Sequence, residues 1–129
     1  MAIAVELSKL SKDPSTKVGC VITDKRNRIV GHGYNGMADR MQDCKELWDK
    51  KDDFVIHAEA NAIRNATVKD LSGCTAYVTL QPCKQCLKML LAYGISKIIY
   101  KTGRLAIEKD TEVLATYARD VLNVTIRIL

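Results

Sequence analysis

The sequence predicts an α/β fold, with a five-stranded mixed sheet flanked by helices in three α/β/α layers, in one domain over residues 1–129. Three observations predict it. Short runs rich in Val, Ile and Tyr alternate with stretches of helical periodicity. The polar stretch Asp24-Lys25-Arg26-Asn27 separates two such runs and reads as a hairpin turn, giving an antiparallel pair. After residue 75 strands and helices alternate strictly, which calls for right-handed crossovers and parallel pairing. A chain of 129 residues that is 47% hydrophobic can bury one sizeable core.

Taken in order, residues 1–11 place Ile3, Leu7 and Leu10 at helical spacing, and Lys12-Asp13-Pro14-Ser15-Thr16 breaks that helix. Val18–Thr23 and Arg28–Gly33 read as the hairpin strands. Gly33-Tyr34-Asn35-Gly36 follows, read equally as a strand-ending turn or as a place where a ligand approaches the backbone. A long connection to Ile56 holds one short helix near Cys44–Lys50; connections of this length are usually functional or disordered, which suits a lid or a subunit contact. A helix runs from His57 to about Ala66, with Ala58, Ala62 and Ile63 inward. Thr75–Leu80 is a strand, and Pro82 suits the first turn of a helix that ends at Gly94. Lys97–Lys101 is a strand, Ile107–Leu122 a helix with Leu114, Tyr117, Ala118 and Val121 on its apolar stripe, and Val124–Leu129 the last strand.

The formal charge is +5, from 20 Lys+Arg against 15 Asp+Glu. That suits a phosphate-bearing ligand and equally a solvated basic surface. Aromatic content is 5% and no basic run interleaves with aromatics, so a nucleic-acid groove is not expected. Met1–Leu10 carries Glu6 and Lys9 and reads as an amphipathic helix rather than a signal peptide. No apolar run reaches the roughly 20 residues of a membrane helix. The odd count of 5 cysteines, two of them in C-x-x-C, points to metal binding in a reducing, cytoplasmic setting rather than to disulfides.

The chemistry concentrates in His57-Ala58-Glu59 and Pro82-Cys83-Lys84-Gln85-Cys86. One imidazole and two thiolates leave a fourth zinc position for water, as catalytic sites do. H-x-E…P-C-x-x-C is the signature of the zinc nucleobase deaminases, in which the glutamate moves protons and does not bind metal. Glu59 fits that role, and bound zinc lowers the pKa of its water from about 15.7 towards roughly 7. The competing reading is a structural zinc knuckle; Glu59 and Pro82 weigh against it. His32, in a strand, is expected to be structural rather than a fourth ligand or a substrate contact. Cys20 and Cys74 are expected in the core, Trp48 as a packing or interface anchor, and Cys44 in the long connection has no assigned role.

Ser11-Lys12-Asp13-Pro14-Ser15-Thr16-Lys17-Val18-Gly19, Gly33-Tyr34-Asn35-Gly36-Met37, His57-Ala58-Glu59-Ala60-Asn61-Ala62-Ile63 and Tyr77-Val78-Thr79-Leu80-Gln81-Pro82-Cys83 resemble deoxycytidylate (dCMP) deaminases. The similarity covers nearly the whole chain. It implies a cytidine deaminase-like fold and hydrolysis of dCMP to dUMP for thymidylate synthesis. It implies one zinc ion on His57, Cys83 and Cys86, with Glu59 as proton shuttle. Asn35, Ala58, Asn61, Lys17 and Arg104 become substrate-binding candidates, Asn35 on the sugar. Lys12, Ser15 and Thr16 join Lys17 and Arg104 as possible phosphate donors. Gly33, Tyr34 and Gly36 become effector-site candidates for dCTP as activator and dTTP as inhibitor, in a homo-oligomer that is a hexamer in many members. Extra ligands for a second zinc are absent, and Tyr100-Lys101-Thr102-Gly103-Arg104 replaces the usual tyrosine segment. Turnover of dCTP, a tRNA adenosine or polynucleotide cytidine deaminase, and a zinc-stabilised nucleotide sensor are the other readings.

Overall fold

The computed structural model describes residues 1–41 and 43–129. Its elements are α1 (Ala2–Ser8), β1 (Gly19–Thr23), β2 (Ile29–Tyr34), α2 (Lys45–Asp49), α3 (Lys51–Phe54), α4 (Ala58–Arg64), β3 (Thr75–Leu80), α5 (Lys84–Ala92), β4 (Lys97–Thr102), α6 (Lys109–Asp120) and β5 (Thr125–Ile128). The long connection thus carries two short helices where the sequence suggested one. The sheet order is β2-β1-β3-β4-β5. β1 pairs antiparallel with both β2 and β3, whereas β3, β4 and β5 run parallel. This is the mixed five-stranded α/β sheet that the alternating pattern predicts.

Local chemistry explains the boundaries. At the hairpin, the Asp24 carboxylate accepts the N–H groups of Arg26 and Arg28, and Asn27 takes the left-handed φ of 61° that asparagine tolerates. α5 ends where Gly94 adopts φ 89°: its N–H meets the Leu91 carbonyl, and the Ile95 N–H meets Leu90. Ile95 is then buried, which locks the chain's entry into β4. Pro82 precedes α5 rather than standing in its first turn, because Cys83 takes the extended N-cap conformation.

The core lies between the sheet and its helices, with Ile22, Leu71, Val78, Leu90, Ile95 and Ile98 fully enclosed. Cys20 and Cys74 are small core residues, and Trp48 is a buried anchor in the long connection. Two apolar stripes depart from expectation. Ile3 and Leu10 are exposed and Ala4 is the buried residue of α1. The reason is close approach: a Cβ on Gly19 would lie 2.0 Å from the Ala4 carbonyl oxygen, so only a small residue fits there. In α6 the inward face is Thr111, Ala115 and Ala118, while Tyr117 and Val121 face outward. Small side chains again let the helix lie close, and the Arg119 guanidinium ties it to the sheet by donating to the Ile126 carbonyl.

The same device fixes α4, which carries the first site motif. A Cβ on Gly33 would stand 2.6 Å from the Ala62 nitrogen and 2.8 Å from the Asn61 carbonyl carbon. β2 therefore touches the helix backbone directly. The Asn61 and Asn65 amides reinforce the contact by donating to the Tyr34 and His32 carbonyls. His32 itself points to solvent on the outer side of β2.

A polar cluster fixes the loop after α1. The buried Asp13 carboxylate accepts the N–H groups of Ser15 and Thr16, the Asn35 amide and the Lys51 ammonium. Burial alone would raise its pKa; the two N–H donors and Lys51 outweigh that and hold it below the usual carboxylate value of 3.8. Among the described residues no helix is long and apolar enough to cross a membrane.

Two outcomes follow from this packing. Gly33→Ala should destabilise the fold by about 1–3 kcal/mol, since the added methyl meets backbone that cannot rotate away; a lowered urea midpoint at constant slope measures it. Asp13 binds its proton more weakly folded than unfolded, so its stabilisation is full above the ordinary carboxylate range and is lost as pH falls through its depressed value. Acid titration of the melting temperature should show this loss in the wild type and a shallower one in Asp13→Asn.

Candidate active site and metal centre

Both site motifs sit at helix starts. His57 is the N-cap of α4 and Cys83 the N-cap of α5, each with extended backbone. The Gly36–Ile56 bridge fixes the chain just before His57. The Gln81 N–H on the Thr102 carbonyl fixes the chain just before Pro82 and Cys83. Cys86 lies three residues on, in the first turn of α5 and on the same face.

The result is one cluster. His57 Nδ1 lies 3.3 Å from Cys86 Sγ and 3.6 Å from Cys83 Sγ. All three donor atoms fall within 4.8 Å of one another. A tetrahedral zinc with bonds of about 2.0–2.1 Å to nitrogen and 2.3 Å to sulfur needs an N···S edge of about 3.6 Å. The chain's own donors stand at that spacing, and their types, one imidazole and two sulfurs, are those zinc prefers. Among the described residues the group is His57, Cys83 and Cys86, without His32, three donors where a tetrahedral zinc takes four.

The electrostatics suit a metal ligand set. A hydrogen bond from Cys86, opposed by partial burial and helped by the His57 ring, holds the Cys83 thiol down to about 3. Cys83 in turn raises the Cys86 and His57 values. Glu59, one residue into α4, is 3% exposed, and burial raises its pKa. A carboxyl so placed holds its proton more tightly than an exposed one.

A cavity of about 210 Å³ opens on this cluster. His57, Ala58, Glu59, Leu80 and Cys83 form its metal end. Asp13, Thr16, Val18, Asn35 and Lys51 form the other side, and Arg104 and Asp52 stand at the rim. Asn35 is buried, with Oδ1 accepting the Val18 N–H and Nδ2 donating to Asp13 and Thr16. Its remaining capacity is one lone pair on Oδ1.

The other sequence candidates divide. Ala58 and Arg104 face the cavity, with Arg104 anchored by its Nε on the Gln81 carbonyl. Lys17 does not, because its ammonium donates to the Ser11 carbonyl; Lys12 pairs with Asp43. Asn61 is not among the lining residues and is held by Tyr34, as described above. Gly33 is committed to helix packing, Tyr34 is exposed, and Gly36 has open space around it. Sequence reasoning missed Asp13 and Lys51 as cavity residues. The Asp13-Pro14-Ser15-Thr16 turn was a usable signal for the first. Lys51 had none, since its partner lies 38 positions away.

Comparison with known proteins agrees with this geometry. The family described as "Cytidine and deoxycytidylate deaminase zinc-binding region" matches residues 1–102. The chain is 37% identical over 135 residues to deoxycytidylate deaminase of Pongo abelii, covering 98% of this chain and 75% of that protein. It is 44% identical over 110 residues to a probable deoxycytidylate deaminase of Caenorhabditis elegans, covering 81% of this chain and 56% of that protein. The structure of dCMP deaminase from cyanophage S-TIM5 in complex with dCMP and dUMP superposes with a TM-score of 0.81 at 26% identity, over 99% of this chain and 92% of that one. The His57, Cys83 and Cys86 donor set of this chain fits one catalytic zinc ion, and the chain belongs to the zinc-binding cytidine and deoxycytidylate deaminase family.

Proposed function

We propose that this chain hydrolyses dCMP to dUMP and ammonia, supplying dUMP for thymidylate synthesis. The observation that carries the reading is the buried Glu59 carboxyl beside the His57, Cys83 and Cys86 donors, at the closed end of a cavity. Zinc on those donors supplies Lewis acidity and lowers the pKa of a coordinated water. Glu59 would take one proton of the attacking water and deliver it to N3 of the pyrimidine, then take the second from the hydroxyl added at C4 and deliver it to the amino group, which leaves as ammonia as the C4–N bond breaks. The Ala58 N–H, in the first turn of α4, has no intrahelical acceptor and is free for the base. The spare Oδ1 lone pair of Asn35 accepts a sugar hydroxyl. Arg104 contributes positive charge at the rim.

A mononucleotide is favoured over a polynucleotide because no Phe, Tyr or Trp among the described residues lines the cavity, whereas single-stranded nucleic acid is held by stacking platforms. The dCMP and dUMP bound to the cyanophage relative support the same choice. Regulation by dCTP and dTTP near Tyr34 and Gly36, in a homo-oligomer, belongs to this reading; the exposed ring and the open space there support it.

Ammonia release should be measured with dCMP, dCTP, a tRNA and a single-stranded oligonucleotide; turnover of polymer alone would overturn the proposal. Glu59→Gln should lower kcat on dCMP by about 10²–10⁴-fold while elemental analysis still finds one zinc per chain. Stripping zinc with a chelator should abolish turnover and lower the melting temperature, both restored by adding zinc back.

A further inference from the structure

We propose that Gln81 is a positioning residue: it fixes Arg104 at the mouth of the cavity, and affinity for the substrate depends on that placement. This rests on the reading above that sets Arg104 at the cavity rim, and goes beyond it by naming what holds Arg104 there.

Arg104 stands on irregular backbone. β4 ends at Thr102, whose ladder partner is Leu80, and α6 begins only at Lys109. Among the described residues, Arg104 is the one member of 103–107 with a hydrogen bond, and both of its bonds end on Gln81. Its main-chain N–H donates to Gln81 Oε1 at 3.1 Å, and its Nε donates to the Gln81 carbonyl at 2.8 Å. At the other end of this segment, Lys84 Nζ lies 3.3 Å from Glu108 and 3.8 Å from Asp110. Both carboxylates are largely exposed, and such pairs hold a loop weakly. Gln81 is therefore the anchor that decides where residue 104 lies.

The anchor is stiff. The Gln81 N–H donates to the Thr102 carbonyl at 2.8 Å, and a residue before a proline is confined to extended backbone. Pro82 and the N-cap Cys83 follow directly. Arg104 is thus tied to the same segment that carries a metal donor. Its guanidinium has five N–H donors, of which only the one on Nε is used. The four on the Nη atoms meet no acceptor among the described residues, and Arg104 lines the cavity. A guanidinium recognises its partner as a planar fork, so its orientation matters as much as its charge. The two bonds to Gln81 set that orientation before substrate arrives, which spares the cost of ordering the loop on binding.

The test is a double-mutant cycle on KM for dCMP in zinc-loaded wild type, Gln81→Met, Arg104→Met and the double variant. Q81M removes the side-chain acceptor and keeps the length. It should raise KM by about three- to tenfold, the range of one hydrogen bond, with kcat little changed. Zinc content should stay at the wild-type level. R104M should raise KM at least as much, and adding Q81M to it should cost nothing further, because Gln81 acts through Arg104. Effects that multiply, an unchanged KM in either single variant, a fall in kcat alone or lost zinc in Q81M each overturn the inference. A zinc-loaded wild type with no dCMP turnover overturns the dCMP reading itself, which separates that failure from this one. If Q81M does not fold, hydrogen exchange in the wild type decides. Saturating dUMP should slow exchange at the Arg104 amide, since coupling between binding and the anchor is reciprocal; unchanged or faster exchange counts against the proposal.

Discussion

Everything at the site depends on two helix starts meeting at one end of the sheet. α4 brings an imidazole and α5 brings two sulfurs, and neither set could hold a metal alone. Their meeting is fixed by backbone contacts rather than by the ligands. β2 presents Gly33 to α4, and the Asn61 and Asn65 amides tie the helix to that strand. β3 leads straight into α5 through Gln81 and Pro82. The donor spacing is thus inherited from helix-on-strand and strand-on-strand packing, which is stiffer than side-chain packing.

Charge follows the same division of labour. At the metal end a buried carboxyl has its proton affinity raised by exclusion from water, which suits a group that must both accept and release a proton. At the far end a second buried carboxyl, Asp13, is surrounded by N–H donors and a cation and is held ionised. Two acids in one cavity therefore take opposite characters from their neighbours alone. Asn35 stands between them, and almost all of its hydrogen-bonding capacity is spent on keeping the loop and β2 in register.

Much of this was legible in the residues. The short runs rich in Val, Ile and Tyr located every strand, and the spacing of His57, Glu59, Cys83 and Cys86 marked the metal donors and the carboxyl beside them. What failed has a common cause. Ile3, Leu10, Tyr117 and Val121 obeyed helical periodicity yet lie outside, because Ala4, Thr111, Ala115 and Ala118 pack closer than larger residues could. A reading weighted by hydrophobicity ranks bulky side chains above the small ones that let backbones approach. Lys51 was invisible for another reason: its role comes from a contact with Asp13 across the fold, and no local pattern records a partner that distant.

The strand order also bears on how the chain reaches this state. β1 is flanked by β2, close behind it in sequence, and by β3, more than fifty positions on. Until β3 has been synthesised, the emerging polypeptide holds one hairpin with α1 and α4 against it, and β1 still lacks its second neighbour. Assembly must wait for distant pairing, which slows the search and leaves apolar strands uncovered meanwhile. Metal capture comes later still, because the two sulfurs lie beyond β3. On the ribosome, then, the three donors are complete once Cys86 has emerged, before β4 and β5 exist, so the ion can tie α4 to α5 while the sheet is still growing.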